Sequence, residues 1–278
     1  MSALTRSVDT GGPVDTDVHR QVEHVMGMPI SLAVRGRNAA AAGGDPWAAV
    51  IDELRDVDRV FSTYRDDSVI SRLDRGELAL DECPPEVAEV LALGRAAQRQ
   101  SDGAFSIELP GEDGRRRLDP SGVVKGWAVQ RAARFLRAVE DIDFCLSAGG
   151  DLVCHTADPD GTAWRIGIEH PDDPGSLIAV VPVRSGAVAT SGTAHRGRHL
   201  LDARTGRPVD GVASVTVIGS SLTWVDIDAT AAYAHGSGAA DWLRNRPDRT
   251  ALVVWPDATT TVVDGRRGAR HHLRASRR

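Results

Sequence analysis

From Asp143 to Gly219 the chain is cut into short apolar runs by Gly, Pro and Asp, and this punctuation limits the fold more than any other feature. DFCLSAGGDLVCHT reads as strand, glycine turn, strand, and WRIGIEHP, LIAVVPV, GAVATSG and ASVTVIG follow as further strands. Ala213, Val215 and Val217 alternate with Ser214 and Thr216, the period of a strand covered on one face. The paired glycines before Asp151 permit backbone conformations closed to bulkier residues. Earlier, HVMGMPISLAV predicts one strand over His24–Val34 with Gly27 inside it, a sign of close approach by another backbone or a ligand. Asp45 and Pro46 start a helix whose stripe is Trp47, Val50, Ile51, Leu54, Val57 and Phe61. Pro84 and Pro85 start a second helix, and GAFSIEL reads as turn then strand. Pro120 and Ser121, with Ser121 as cap, start a third helix carrying Ala128, Ala132, Phe135 and Val139 on one face. VDIDATAAYAHG is an alanine-rich helix and ALVVWPD a final strand. Two groups of strands, each backed by helices and without regular strand–crossover alternation, predict an α+β fold.

A chain of 278 residues, 41% hydrophobic, can bury a sizeable core, built from Ala, Val, Leu and Ile because aromatics make up only 4%. A net charge of −6 argues against nucleic acid as partner; the Arg-rich tail GRRGARHHLRASRR reads as a solvated end. Cys83, Cys145 and Cys154 lack metal-type spacing, and their odd count suits a reducing compartment. No run is long enough to cross a bilayer and no secretory signal opens the chain, so the expectation is a cytoplasmic protein without a membrane anchor. The expected organisation is a poorly ordered segment over 1–20, one folded domain over 21–265 and a disordered basic tail over 266–278.

Several residues can carry chemistry. Lys125 falls near the first turn of its helix, where a cation is disfavoured by the dipole unless an anion is bound there; a lysine reaching into water is the plainer reading of that stretch alone. Asp226 and Thr230, four apart on one helical face, offer hard oxygen donors suited to Mg²⁺, or simply a cap and a mid-helix residue. Thr190, Ser191 and Gly192 read as a turn able to hold phosphate. Tyr64, in a polar loop, is either a surface residue or a stacking platform. His195 and His199 are candidate bases or solvated loop residues, the latter being the plainer reading for His195. G-x-S-x-G, Walker-type and G-x-G-x-x-G patterns are absent, so the familiar hydrolase and dinucleotide folds are unsupported.

Taken together and in order, these fragments resemble the ApbE family of FAD:protein FMN transferases. MGM resembles its M-G-T, FSTYRDDSVISRLD its F-S-x-Y-x-x-x-S-x-I-S-R-x-N, and DGAFSIEL its G-x-F-D-x-T. DPSGVVKGWAVQ resembles D-x-x-x-x-x-K-G-Y-A-x-D, LSAGGDL resembles N-A-G-G-D, and ATSG followed by HLLDARTGRPV resembles T-S-G and H-x-I-D-P-x-T-G-x-P. SVTVIG and VDIDATAAYAHG resemble the closing V-T-V and A-D-x-x-A-T-A. The resemblance implies two packed α/β subdomains with mixed or antiparallel sheets and an FAD cleft between them. It implies FAD as substrate, held by Met26, Tyr64, the Ala104–Phe105–Ser106 strand, Asp119, Lys125, Thr190 and Leu201, and Mg²⁺ held by the Gly122 carbonyl, Asp226 and Thr230. The implied reaction moves FMN to a Ser/Thr hydroxyl in a motif of a client flavoprotein and releases AMP, with His199 as base and Asp202 orienting either the loop or that base. Ser106 stands where the family usually has Asp; Met28, Trp127, Gln130, Ser147 and Gly122 replace Thr, Tyr, Asp, Asn and Ala. Two alternatives stay open: a Mg²⁺-dependent FAD pyrophosphatase, in which water replaces the client hydroxyl and nearly the same residues serve, and a carrier that binds FAD without turning it over, to which the loss of charge at Ser106 adds weight.

Overall fold

A computed structural model of the chain describes residues 18–110, 114–192 and 201–265 and the backbone of 274–275. The strands are β1 (His19–Val25), β2 (Met28–Gly36), β3 (Glu108–Pro110), β4 (Arg116–Leu118), β5 (Ile142–Ala148), β6 (Asp151–His155), β7 (Trp164–His170), β8 (Asp173–Val183), β9 (Gly186–Gly192), β10 (Leu201–Asp202), β11 (Arg207–Pro208), β12 (Ser214–Gly219), β13 (Thr250–Val254), β14 (Thr260–Asp264) and β15 (Arg274–Ala275). The helices are α1 (Ala39–Ala42), α2 (Asp45–Phe61), α3 (Val69–Asp74), α4 (Pro85–Gln100), α5 (Ser121–Arg137), α6 (Leu222–Ala234) and α7 (Ala239–Arg244).

One eight-stranded sheet, ordered β1-β2-β5-β6-β9-β12-β13-β14, spans both halves of the chain, and every neighbouring pair is antiparallel. Its alternation explains the two layers that cover it. Ile30, Leu32, Val34, Phe144, Leu146, Val153 and Val217 face a core shared with α2, α5 and α6. Leu152, Cys154, Val188, Ile218 and Leu252 face a smaller cluster capped by Ile168, Ala179, Val181 and Val183 of the β7–β8 ladder. This is the α+β class that the punctuation predicts.

Some local expectations change. The single strand over His24–Val34 is the end of β1 and most of β2, joined by a two-residue turn with positive φ at Met26 (56°) and Gly27 (70°). Such a turn matches the twist of the strands it joins. A Cβ at Gly27 would meet nothing within 4 Å, so this glycine supplies a dihedral angle and no close approach. Met26 holds the left-handed region with a side chain, at a cost of about 1 kcal/mol. Thr190–Ser191–Gly192 lies inside β9 and is not a turn, and Ala104–Phe105–Ser106 is an irregular loop before β3 and not a strand. Ser121 is the first residue of α5 rather than its cap; Asp119 Oδ1 accepts the Ser121 N–H at 3.0 Å in that role.

α6 has apolar residues all round its axis and is almost wholly buried, between α5, the sheet and α7, with Trp224 and Thr230 half-buried. Asp228, 1% exposed, interrupts it and is neutralised by Arg246 and Arg249, each at 2.8 Å. Asp228→Ala leaves two nearly buried guanidinium groups unmatched and should cost about 3–5 kcal/mol. The urea midpoint measures this, and a loss below about 1 kcal/mol would show the cluster to be solvated.

Candidate active site

Three elements bring charge to one point. α5 supplies Lys125, the tight β5–β6 hairpin supplies Asp151, and α6 supplies Asp226. The Lys125 ammonium pairs with Asp151 and, at 3.2 Å, with Asp226 Oδ1. The side chains of Asp151 and Asp226 are 3% and 4% exposed, and that of Lys125 21%. Lys125 therefore does not reach into water. The anions that satisfy it at the start of the second helical turn are the protein's own carboxylates, without need of a bound phosphate.

Each carboxylate is anchored on its other oxygen. Asp226 Oδ2 accepts the Gly126 N–H at 3.0 Å, and Asp151 Oδ1 accepts the Thr190 N–H at 2.9 Å. The approach of α5 to α6 depends on Gly126: a Cβ there would lie 2.8 Å from the Leu222 carbonyl oxygen and 3.0 Å from Asp226 Cβ. Gln130, one turn further along α5, holds the start of α6, its Oε1 accepting from the Thr223 N–H at 3.2 Å and from Ser221 Oγ at 2.9 Å. That bond gives Gln130 a capping role where the family pattern has Asp.

Two carboxylates against one ammonium leave the cluster short of positive charge. Burial pushes the Asp226 carboxyl up to about 7, against the pull of Lys125 and with the help of Asp151. Burial also works against the Lys125 ammonium, but Asp226 and Asp151 outweigh it and hold its pKa above the ordinary lysine value.

Other residues expected at the site sit on segments bonded to or packed against the elements that carry this cluster. Thr230 Oγ1 lies 3.1 Å from Ser191 Oγ, so Ser191 is the β9 side chain facing α6. The Thr190 hydroxyl points to the opposite face and meets Thr216 Oγ1 at 2.9 Å; toward the cluster Thr190 offers only its N–H. Gly122 opens α5 against the Phe105 ring, which takes the room of an alanine methyl: a Cβ would lie 3.0 Å from it. The Asp119 N–H donates to the Ile107 carbonyl at 2.7 Å, which ties the 104–107 loop to the entry of α5. Ser106 Oγ is occupied locally, accepting the Glu108 N–H and donating to the Glu108 carbonyl, both at 3.0 Å. The Ala203 N–H donates to the Ala104 carbonyl at 3.2 Å, docking the β10–β11 hairpin, and with it Leu201, on the same loop. Asp202 is held by Arg204 at 2.8 and 2.9 Å, and this bond keeps its carboxyl below the usual range. Arg204 also reaches the Ala234 carbonyl at the end of α6. Met26 sits in the β1–β2 turn; Met28, two residues on, reaches the β5–β6 turn, its sulfur 3.3 Å from where a Cβ on Gly149 would stand. Tyr64 is 98% exposed. His195 and His199 lie outside the described residues. Asp151 was missing from the expected site; the signal for it was the two-glycine turn that precedes it. Among the described residues no three His, Cys, Asp or Glu side chains gather as a metal cluster.

The ApbE family model matches residues 26–111 and 108–254, most of the chain. This chain belongs to the ApbE family. The FAD:protein FMN transferase of Vibrio cholerae is 33% identical over 129 residues, 43% of this chain and 39% of that protein. The FAD:protein FMN transferase of Rhodobacter capsulatus is 34% identical over 189 residues, 65% of this chain and 32% of that protein. The alignments thus span only about two fifths or less of those relatives. Among solved structures, the ApbE protein of Thermotoga maritima superposes with a TM-score of 0.74 at 21% identity, over 89% of this chain and 97% of that one. The flavinyl transferase ApbE of Pseudomonas stutzeri gives 0.70 at 24%, over 89% and 96%. Both show the ApbE fold. No helix among the described residues is long and apolar enough to cross a membrane.

Proposed function

We propose that this ApbE-family chain transfers FMN from FAD to a serine or threonine hydroxyl in a motif of a client flavoprotein, with Mg²⁺ as cofactor and AMP as leaving group. The observation that carries this reading is the buried Asp226–Lys125–Asp151 cluster beside Gly122 and Thr230. A flavin diphosphate would be repelled by two carboxylates facing one ammonium. The cluster fits a divalent cation: the Asp226 carboxylate, the Thr230 hydroxyl and the Gly122 carbonyl are hard oxygen donors, and the raised Asp226 pKa marks negative charge in want of a partner. When bound, Mg²⁺ supplies positive charge to the diphosphate.

The chain's own residues do the rest. Lys125 faces the phosphates from α5. The 104–106 loop, Asp119, Leu201 and the Met26 turn line the nucleotide, Thr190 acts through Asp151, whose carboxylate its N–H holds, and the exposed Tyr64 ring offers the flavin a face to stack on. The client hydroxyl attacks the FMN phosphorus, the P–O bond to AMP breaks, and His199 accepts the hydroxyl proton. Asp202, fixed by Arg204, is a positioning residue for the segment that follows His199.

Incubation with FAD, Mg²⁺ and a client-motif peptide tests this by mass spectrometry. A peptide heavier by FMN supports transfer; free FMN with unmodified peptide would replace it by pyrophosphatase activity, and intact bound FAD by a carrier. Asp226→Ala should abolish turnover with the fold largely kept, and full activity there without metal would reject the metal assignment. His199→Ala with unchanged turnover would remove that base. Binding also carries a pH signature. Because Asp226 must be ionised to accept Mg²⁺, the ion should raise Tm more at pH 8 than at pH 6, on either side of its pKa of about 7. An equal shift at both pH values would place the ion elsewhere.

A further inference from the structure

We propose that Cys145 and Cys154 are a modification site: exchange with a small-molecule disulfide converts them to a cross-strand disulfide that staples the hairpin carrying Asp151. The two residues are directly opposite in the β5–β6 ladder. Both thiols are free, Cys154 buried and Cys145 half-buried.

The phase of the ladder decides the geometry. The Gly149 N–H donates to the Pro29 carbonyl of β2 at 3.1 Å. Peptide groups along a strand alternate sides, so odd-numbered residues of β5 bond toward β2 and even-numbered ones toward β6. Cys145 and Cys154 are therefore a non-hydrogen-bonded pair. Such pairs have Cα atoms about 4.5 Å apart, inside the roughly 4.4–6.8 Å that a disulfide spans, so the bond needs no backbone movement. Both side chains point to the layer between the large sheet and β7–β8, where Cys154 joins the smaller apolar cluster and Cys145 packs against it. The paired Cys145 thiol and burial raise the Cys154 pKa well above its usual value, while the Arg35 guanidinium works in the opposite direction. The half-buried Cys145 is thus the entry point and Cys154 the resolving thiol.

The Cys145 thiolate attacks a sulfur of the oxidant RSSR, forming Cys145–S–S–R and releasing RS⁻. Cys154, as thiolate, then attacks Cys145 Sγ, forming the Cys145–Cys154 bond and releasing the second RS⁻. The protein loses two protons and two electrons, and RSSR becomes two RSH. The link lies three residues from Asp151, across the Gly149–Gly150 turn, and does not depend on the proposed activity.

Glutathione disulfide, followed by denaturing alkylation, tests this on the full chain. Arg137 and Arg165 bound one tryptic peptide holding both cysteines and no other cleavage site. The expected result is that this peptide is about 2 mass units lighter than its fully reduced form and takes no alkyl group, while Cys83 stays alkylatable. Cys154→Ser should instead hold glutathione on Cys145. The proposal is overturned if the native peptide takes two alkyl groups, if it retains glutathione on Cys145, or if the variant gains no adduct.

Discussion

Lys125→Met should cost the metal-free protein about 3–5 kcal/mol, because it leaves Asp151 and Asp226 buried together without a cation. The methionine fills similar volume, so the loss reports charge and not a cavity. The sign with pH follows from the carboxyls. A folded-state pKa raised above the unfolded value means that the folded protein holds protons the unfolded chain has released, so stability falls as pH rises between the two values. In the native protein Asp226 does this from roughly pH 4 to about 7. Without Lys125 the Asp226 carboxyl loses the cation that pulls it down and moves higher, and the window extends upward. The deficit of the variant should therefore be small near pH 4 and largest near pH 8, and Mg²⁺ should recover part of it. Urea titrations at the two pH values measure this; a deficit independent of pH would mean that solvent already screens the cluster. The proposed FMN transfer should fall along with stability.

Gly126→Ala sets two effects against each other. Alanine favours a helix interior over glycine by about 1 kcal/mol. The added methyl would meet the Leu222 carbonyl oxygen at 2.8 Å and Asp226 at 3.0 Å, and neither is the free end of a flexible chain. Overpacking of this kind costs about 1–3 kcal/mol, so the clash should win and the variant should be less stable. The larger effect should be on turnover. Forcing α6 away carries Asp226 with it, and a displacement near 1 Å at a reacting centre can cost about 10²-fold. Native-like kcat in a folded Gly126→Ala protein would remove Asp226 from the mechanism. Glycine at this point is thus explained by interhelical distance rather than by backbone freedom.

The α+β class was legible because periodicity and turn residues are local signals. Trp47 to Phe61 read as a helix and DFCLSAGGDLVCHT as a hairpin because each carries its own pattern, and both stand as read. Met26 and Gly27 were misread because the apolar pattern runs on through a two-residue turn; only the backbone angles divide it. The site was legible as an ordered set of fragments and not as an arrangement. Nothing near Lys125 in sequence says that Asp151 and Asp226 will neutralise it, since the hydrogen bond joining α5 to α6 links residues 100 positions apart. Likewise Gln130 looked like a lost charge until its carbonyl was found at the start of α6.

The strand order has a cost during synthesis. Ile30 has its partner in Ala148, so the inner edge of the β1–β2 hairpin waits for more than a hundred residues to be made. At about 5–20 residues per second that delay is roughly 6–24 s. For that time an apolar ladder edge bearing Leu32 and Val34 leaves the ribosome with nothing to pair with, a template for mispairing between nascent chains. The native form of this protein is therefore expected to depend on chaperone cover early in translation and to be reached slowly on refolding from denaturant.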